Sequence, residues 1–312
     1  MRAYGPVPSR RLGHSLGINN IPPKVCTYSC VYCQLGKTTK MEISRRNFYR
    51  TDEIIKEVKE KVESARKKRE TIDYLSFVPD GEPTLDINIG SEIDLLKPLG
   101  IKIAVITNGS LIWDEDLRGD LSKANWVSLK IDTMSKDIWH KINRPHRLLK
   151  LEAILEGELE FANIFKGELT TETMLIQGVN DNEKEIRKIA DFLRELKPAK
   201  AYIAIPTRPP AEKGVKPANE QVINTAYQIF SKKLSNVEYL IGYEGNTFAF
   251  TGNVEDDLLG ITSVHPMREE GVNEFLSKAN SDWGVIQKLI KEKKIIEAEF
   301  KGKKFYMRKL FD

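Results

Sequence analysis

Cys26, Cys30 and Cys33 are the only cysteines in the chain, and they fall within eight residues, in the run Cys26-Thr-Tyr-Ser-Cys30-Val-Tyr-Cys33. Three thiolates this close can share one face of an iron–sulfur cube and leave its fourth iron without a protein ligand, open to chemistry. Isolated cysteines are usually small buried hydrophobes, whereas these lie in a polar loop flanked by Gly and Pro. A structural zinc site is the alternative, and it would have to recruit His14, His146 or His265 as a fourth ligand. A disulfide framework would leave one thiol over, and nothing at the N-terminus reads as a secretory signal.

The elements that must hold this loop alternate in type. Residues 51–69 carry apolar side chains at Ile54, Ile55, Val58, Val62 and Ala65, the helical period, with Asp52 and Glu53 in the first turn. Residues 72–78 and 101–106 read as strands ending in Pro79-Asp80-Gly81 and Thr107-Asn108-Gly109. Strands at 126–131, 169–176 and 201–205 follow, with helices near 114–122, 148–165 and 183–196 between them. An earlier strand near 16–21 completes six βα units. Such alternation predicts a parallel sheet, because parallel neighbours need a crossover connection, and ligands gather at the carboxyl ends of its strands.

Length and composition fit a large domain with an appendage: 312 residues, 40% hydrophobic. No apolar run approaches the roughly 18 residues of a membrane span, so the expectation is a cytoplasmic enzyme with no membrane partner. A net charge of +4, from 49 basic and 45 acidic residues, is too mild to imply a polyanion partner. Clusters such as Arg45-Arg46 and Arg66-Lys67-Lys68-Arg69 have no aromatic residues interleaved and read more readily as solvated faces.

The C-x3-C-x2-C spacing with Tyr32 before the last cysteine resembles the signature loop of the radical S-adenosylmethionine (SAM) superfamily. The resemblance covers about residues 1–206 and implies an α/β fold, a partial (β/α)6 barrel. It also implies a 4Fe-4S cluster on Cys26, Cys30 and Cys33 whose open iron is chelated by SAM. Pro79-Asp80-Gly81-Glu82-Pro83-Thr84 is similar to the family's Gly-Gly-Glu segment, which makes Gly81 and Glu82 matches for holding the SAM ammonium; Asp80 departs from the first glycine. Ser128 and Lys130, in phase with Asp132 on one strand, match residues that contact ribose and carboxylate, with Asn108 a weaker match. Met174-Leu-Ile176-Gln-Gly178 resembles the adenine-binding segment, where Ile176 has core packing as its alternative role, and Tyr32 would pack on the adenine from the cluster loop. The implied reaction is reductive cleavage of SAM to a 5′-deoxyadenosyl radical that abstracts hydrogen from a substrate, with electrons from a donor such as ferredoxin or flavodoxin. With all three cysteines used, none remains for an auxiliary cluster or a methyl-carrying thiolate.

The leader Tyr4-Gly-Pro-Val-Pro-Ser-Arg10-Arg11-Leu-Gly-His14 is similar to that of a radical SAM group related to the enzymes that make the wyosine base in tRNA. A tRNA nucleoside is therefore one expected substrate, and a peptide or small metabolite another. Arg10, Arg11, Asp132, Arg144 and His146 are the substrate-side candidates, Arg10 and Arg11 as forks for phosphate or carboxylate. After Pro206-Thr-Arg-Pro-Pro210 come a helix near 219–234 and a short strand near 239–242. We divide the chain into a barrel, 1–240, and a C-terminal unit, 241–312. In the latter, helices near 255–263, 268–279 and 283–291 precede a hairpin at 295–300 and 303–307, the order of a winged helix. Its lysines, 288, 291, 293, 294, 301, 303 and 304, could contact RNA or simply be solvated. A nucleic-acid-binding regulator with a structural or redox-sensing metal loop is the non-enzymatic alternative.

Overall fold

Runs of four to seven residues, too short for stable helices and rich in apolar side chains, build the central sheet of the computed structural model, which describes residues 2–242, 246 and 248–309. The strands are β1 (Ala3–Ser9), β2 (Gly13–Ile18), β3 (Val25–Cys26), β4 (Lys40–Met41), β5 (Tyr74–Phe77), β6 (Lys102–Thr107), β7 (Trp126–Lys130) and β8 (Glu168–Met174). After them come β9 (Lys200–Ala204), β10 (Val237–Leu240), β11 (Met267–Arg268), β12 (Ile295–Phe300) and β13 (Lys303–Arg308). The helices of the first part are α1 (Thr51–Lys67), α2 (Ile89–Leu96), α3 (Glu115–Leu121), α4 (Lys136–Ile142), α5 (Leu151–Ile164), α6 (Glu183–Leu196) and α7 (Glu220–Ser231). Those of the last part are α8 (Val254–Val264), α9 (Glu269–Lys278) and α10 (Gly284–Lys291).

Eight strands form one sheet in the order β1-β2-β5-β6-β7-β8-β9-β10; β1 runs antiparallel to β2 and every other pairing is parallel. This is an α/β fold built on a parallel sheet, as the resemblance implied. Helix α6 shows how the outer layer is specified. Ile186, Ile189, Ala190, Leu193 and Leu196 face the core, and the Asn182 side chain caps the first turn by accepting from Glu185 N at 3.0 Å.

The parallel set contains one strand more than the six predicted. Residues 237–240, where a short strand was expected near 239–242, join the sheet beside β9. The leader, given no element in the sequence, is strand β1, whose prolines are tolerated because an edge strand leaves backbone donors unused. Helices α2 and α4, at 8 and 7 residues, were too short for their period to stand out.

A second core joins Phe248, Leu258, Ile261, Met267, Phe275, Leu289 and Tyr306 to Tyr4 and Val7 of β1. The three helices and hairpin lie close to where the sequence put them, with β11 added as a third strand in the order β11-β13-β12. The sheet of the first part and this last part thus share β1: it pairs with β2, and its buried side chains pack under α8.

Candidate active site

The cysteine loop lies across the carboxyl ends of the strands, held by main-chain bonds to three segments. Glu82 N donates to Val25 O at 3.1 Å, Val31 N to Ile142 O at 2.9 Å, and His146 N to Thr27 O at 2.9 Å. Gly81 is required here, since a Cβ at that position would sit 2.0 Å from Val25 O. Burial pushes the Cys26 and Cys30 thiols up, Cys30 to about 12 even though Asn143 donates to it. Iron ligation would therefore have to displace their protons.

All three cysteines line a cavity of about 330 Å³. Among the described residues, no three His, Cys, Asp or Glu side chains form a group able to hold a single metal ion. His14 instead lies 3.5 Å from Asp73, His265 contacts Arg208, and the His146 ring accepts from Leu148 N at 3.3 Å. A cubane asks for less convergence, because each thiolate binds a different iron. Three thiols on one wall, with no fourth ligand grouped near them, fit that group.

Facing the thiols are Gly81, Glu82, Thr107, Asn108, Ser128 and Lys130, from the ends of β5, β6 and β7. Glu82 Oε1 accepts from Thr84 N, Thr84 Oγ1 and Thr107 Oγ1 at 3.1, 2.6 and 2.5 Å, and Oε2 accepts from Asn108 N at 2.8 Å. Burial raises its pKa against the pull of these donors. Oε2 keeps an acceptor position for one further donor. Asn108 Nδ2 donates to Thr27 Oγ1 at 2.8 Å and approaches Cys26 Sγ at 3.7 Å.

Glu172 completes this wall and went unnoticed in the sequence. Register pairs it with Lys130 across β7 and β8, their side chains bond, and Arg11 Nη1 reaches its other oxygen at 2.5 Å. Burial would raise the Glu172 pKa, but the Lys130 and Arg11 charges outweigh it and hold it at about 2. Lys130 Nζ also stands 5.0 Å above the Tyr32 ring, a cation–π contact that fixes Tyr32 at the cavity edge.

Several candidates are placed elsewhere. Asp132 is not in the cavity wall. It is buried beneath the loop and accepts from Tyr32 Oη, from Asn143 Nδ2 at 2.8 Å and from Met174 N at 2.9 Å. Arg144 turns outward to Glu212, at 2.6 Å, on the far side of the loop. His146 braces the loop through its main chain, and Ile176 packs with Val31, Tyr32 and Ile142 in the core. Arg10 borders the cavity while its Nη1 bonds the carbonyls of Leu240 and Gly242, at 2.7 and 3.0 Å, tying the β1–β2 turn to the opposite end of the sheet. Arg208, which the sequence did not single out, and His265, considered there only as a zinc ligand, line the cavity 2.9 Å apart, Arg208 Nη1 reaching Gln34 Oε1 at 2.7 Å. His265 belongs to the last part of the chain, so that part contributes to the cavity wall.

Residues 20–193 match the Radical SAM superfamily. With that match over this fold and this cysteine loop, the chain belongs to the radical SAM superfamily, whose cofactors are a 4Fe-4S cluster and SAM. It is 49% identical over 310 residues to a UPF0026 protein of Methanocaldococcus jannaschii, spanning 99% of this chain and 96% of that protein. Two solved structures share the fold. A radical SAM methyltransferase from Sphaerobacter thermophilus covers 73% of this chain and 66% of its own length at TM-score 0.56 and 16% identity. TYW1, solved with a lysine–pyruvate adduct, covers 71% and 74% at TM-score 0.56 and 15% identity. The expected kinship with wyosine-base enzymes is thus met at the level of fold. No helix among the described residues is long and apolar enough to cross a membrane.

Proposed function

We propose that the protein is a radical SAM enzyme acting on a small polar substrate bound in the cavity between the cysteine loop and His265 of the last part of the chain. The observation that carries this reading is the single cavity lined by Cys26, Cys30 and Cys33 on one side and by Glu82, Lys130 and His265 on the others. Cys26, Cys30 and Cys33 would hold the cluster, which together with SAM would supply reductive radical chemistry able to take a hydrogen atom from substrate. Glu82 Oε2 would accept the SAM ammonium, and Lys130, held by Glu172, would face its carboxylate. Tyr32 would shield the adenine, while His265 and Arg208 would exclude water from the radical. A reductant such as ferredoxin or flavodoxin would feed the cluster.

Charge favours a small substrate over a nucleoside within RNA: Lys288, Lys294, Lys303 and Lys304 of the last part pair with Glu255, Glu292, Glu270 and Glu297. Four of the seven lysines that suggested RNA contact are thereby neutralised. Anaerobically reconstituted protein given dithionite and SAM should release 5′-deoxyadenosine, and Cys26→Ala, Cys30→Ala or Cys33→Ala should abolish it. Deuterium transfer between cellular fractions and deoxyadenosine should fall in the small-molecule fraction. Transfer confined to RNA would reinstate the nucleoside, and reconstituted protein without SAM cleavage would defeat the reading.

A further inference from the structure

Lys24, Asn108 and Asn143 come from three separate segments: the approach to the cysteine loop, the end of β6 and the end of α4. Each aims an N–H donor at a different cysteine. Lys24 Nζ lies 3.8 Å from Cys33 Sγ, Asn108 Nδ2 3.7 Å from Cys26 Sγ, and Asn143 Nδ2 3.5 Å from Cys30 Sγ. A second, shorter bond orients every donor: Lys24 Nζ to Gly36 O at 2.6 Å, Asn108 Nδ2 to Thr27 Oγ1 at 2.8 Å, and Asn143 Nδ2 to Asp132 Oδ2 at 2.8 Å. Lys24 is only 4% exposed and holds a left-handed backbone (φ 61°), a conformation costly for a side chain of this kind. Its N–H reaches Asp80 O at 2.7 Å, so this backbone is fixed against the Pro79-Asp80-Gly81 turn.

A thiol is a weak acceptor, and a metal-bound thiolate a strong one. One donor per sulfur is therefore an arrangement suited to the ligated state. We propose that Lys24, Asn108 and Asn143 set the reduction potential of the cluster by one N–H···S bond to each of its three thiolates. Lys24, the only cation among them, dominates. The inference rests on the radical SAM reading of the cysteines. Reduction adds one electron and no atom to the cluster, and the electron comes from the external reductant. Oriented donors and a buried ammonium stabilise that added negative charge and raise the potential. The full charge of Lys24 acts through a poorly solvated surround, where it outweighs an amide dipole.

The test is a redox titration of full-length, anaerobically reconstituted protein without SAM, followed by the electron paramagnetic resonance of the reduced cluster, with iron and sulfide counted in each sample. Lys24→Met should lower the reduction equilibrium constant at least tenfold, which is about 59 mV for a one-electron couple. Lys24→Arg, which keeps the charge, should stay within about threefold of wild type, within about 28 mV on the same scale. Asn108→Ala should shift in the direction of Lys24→Met by a smaller factor. A Lys24→Met protein with full iron content and the wild-type potential overturns the proposal. If Lys24→Met fails to hold a cluster, Asn108→Ala decides, and an unchanged potential there overturns it equally. Wild-type protein that assembles no 4Fe-4S cluster would instead defeat the reading of the cysteines, an outcome visible before any variant is titrated.

Discussion

Arg11 Nη1 and Glu172 Oε2 lie 2.5 Å apart although 161 residues separate them, and Lys130 bonds the other carboxylate oxygen. All three side chains are at most 19% exposed. Removing the carboxylate leaves two largely buried cations facing each other, and breaking a buried pair costs about 3–5 kcal/mol. Glu172→Gln should therefore lower unfolding free energy by that order in urea titrations. Arg11→Met combined with Glu172→Gln should cost less than the sum of the single changes, the sign of coupling within one network. The pH dependence has a definite sign. Glu172 titrates near 2 in the fold against an ordinary 4.5, so its contribution is complete above about pH 4.5 and is lost as pH falls toward 2.

Asp80 should behave in the opposite sense. Burial, only partly offset by Arg308 and Lys24, raises it from 3.8 to about 7, and its Oδ1 has no hydrogen-bond partner. The folded state then binds more protons than the unfolded chain between those values, and stability falls as pH rises from about 4 to 7. Asp80→Asn should retain at pH 8 stability that the wild type loses, by up to about 4 kcal/mol for a three-unit shift, with a much smaller difference at pH 4. Parallel denaturation curves for the two proteins at both pH values would contradict this.

For Glu82 the four donors it satisfies decide the outcome. Glu82→Ala leaves buried donors at Thr84, Thr107 and Asn108 without an acceptor and should cost about 1–3 kcal/mol of stability. Loss of a charge-assisted bond to the SAM ammonium should weaken SAM binding roughly ten- to a hundredfold. Glu82→Gln keeps an acceptor oxygen and should recover part of the stability while losing the same affinity. Calorimetric SAM titrations of the cluster-loaded proteins check this, and an unchanged dissociation constant for Glu82→Gln would remove Glu82 from the SAM site.

Truncation after Gly252 strips the cover from Tyr4 and Val7 and removes His265 from the cavity wall. The remaining chain should melt earlier than the full protein and yield less deoxyadenosine with SAM and dithionite. A truncated protein with the full-length melting temperature and turnover would mean that the last part only rests against β1.

The cysteine loop was legible because its chemistry demands local spacing, and Ser128 and Lys130 because alternation along one strand fixes a face. Glu172 was not, since its role depends on the register that sets it beside Lys130 and on a leader arginine brought over the sheet. Arg208 and His265, 57 residues apart, meet only once the last part has folded back. Asp132 was assigned to the right strand end but one step too far along it, where the chain has already dipped beneath the loop. The prolines of β1 hid a strand because they carry the signature of a loop while an edge position permits them.

The sharing of β1 has a consequence in time. Its pairing strand is made at once, but the residues that cover Tyr4 and Val7 extend to Tyr306. At about 5–20 residues per second of synthesis, the stretch from the end of β10 to Tyr306 leaves roughly 3–13 s in which the completed sheet has one side of its first strand still wet. His265 is missing from the cavity at the start of this interval. The cysteine loop is then reachable from the side that His265 lines in the mature molecule, and iron and sulfide delivered during synthesis meet a wider entrance than those added to the finished protein.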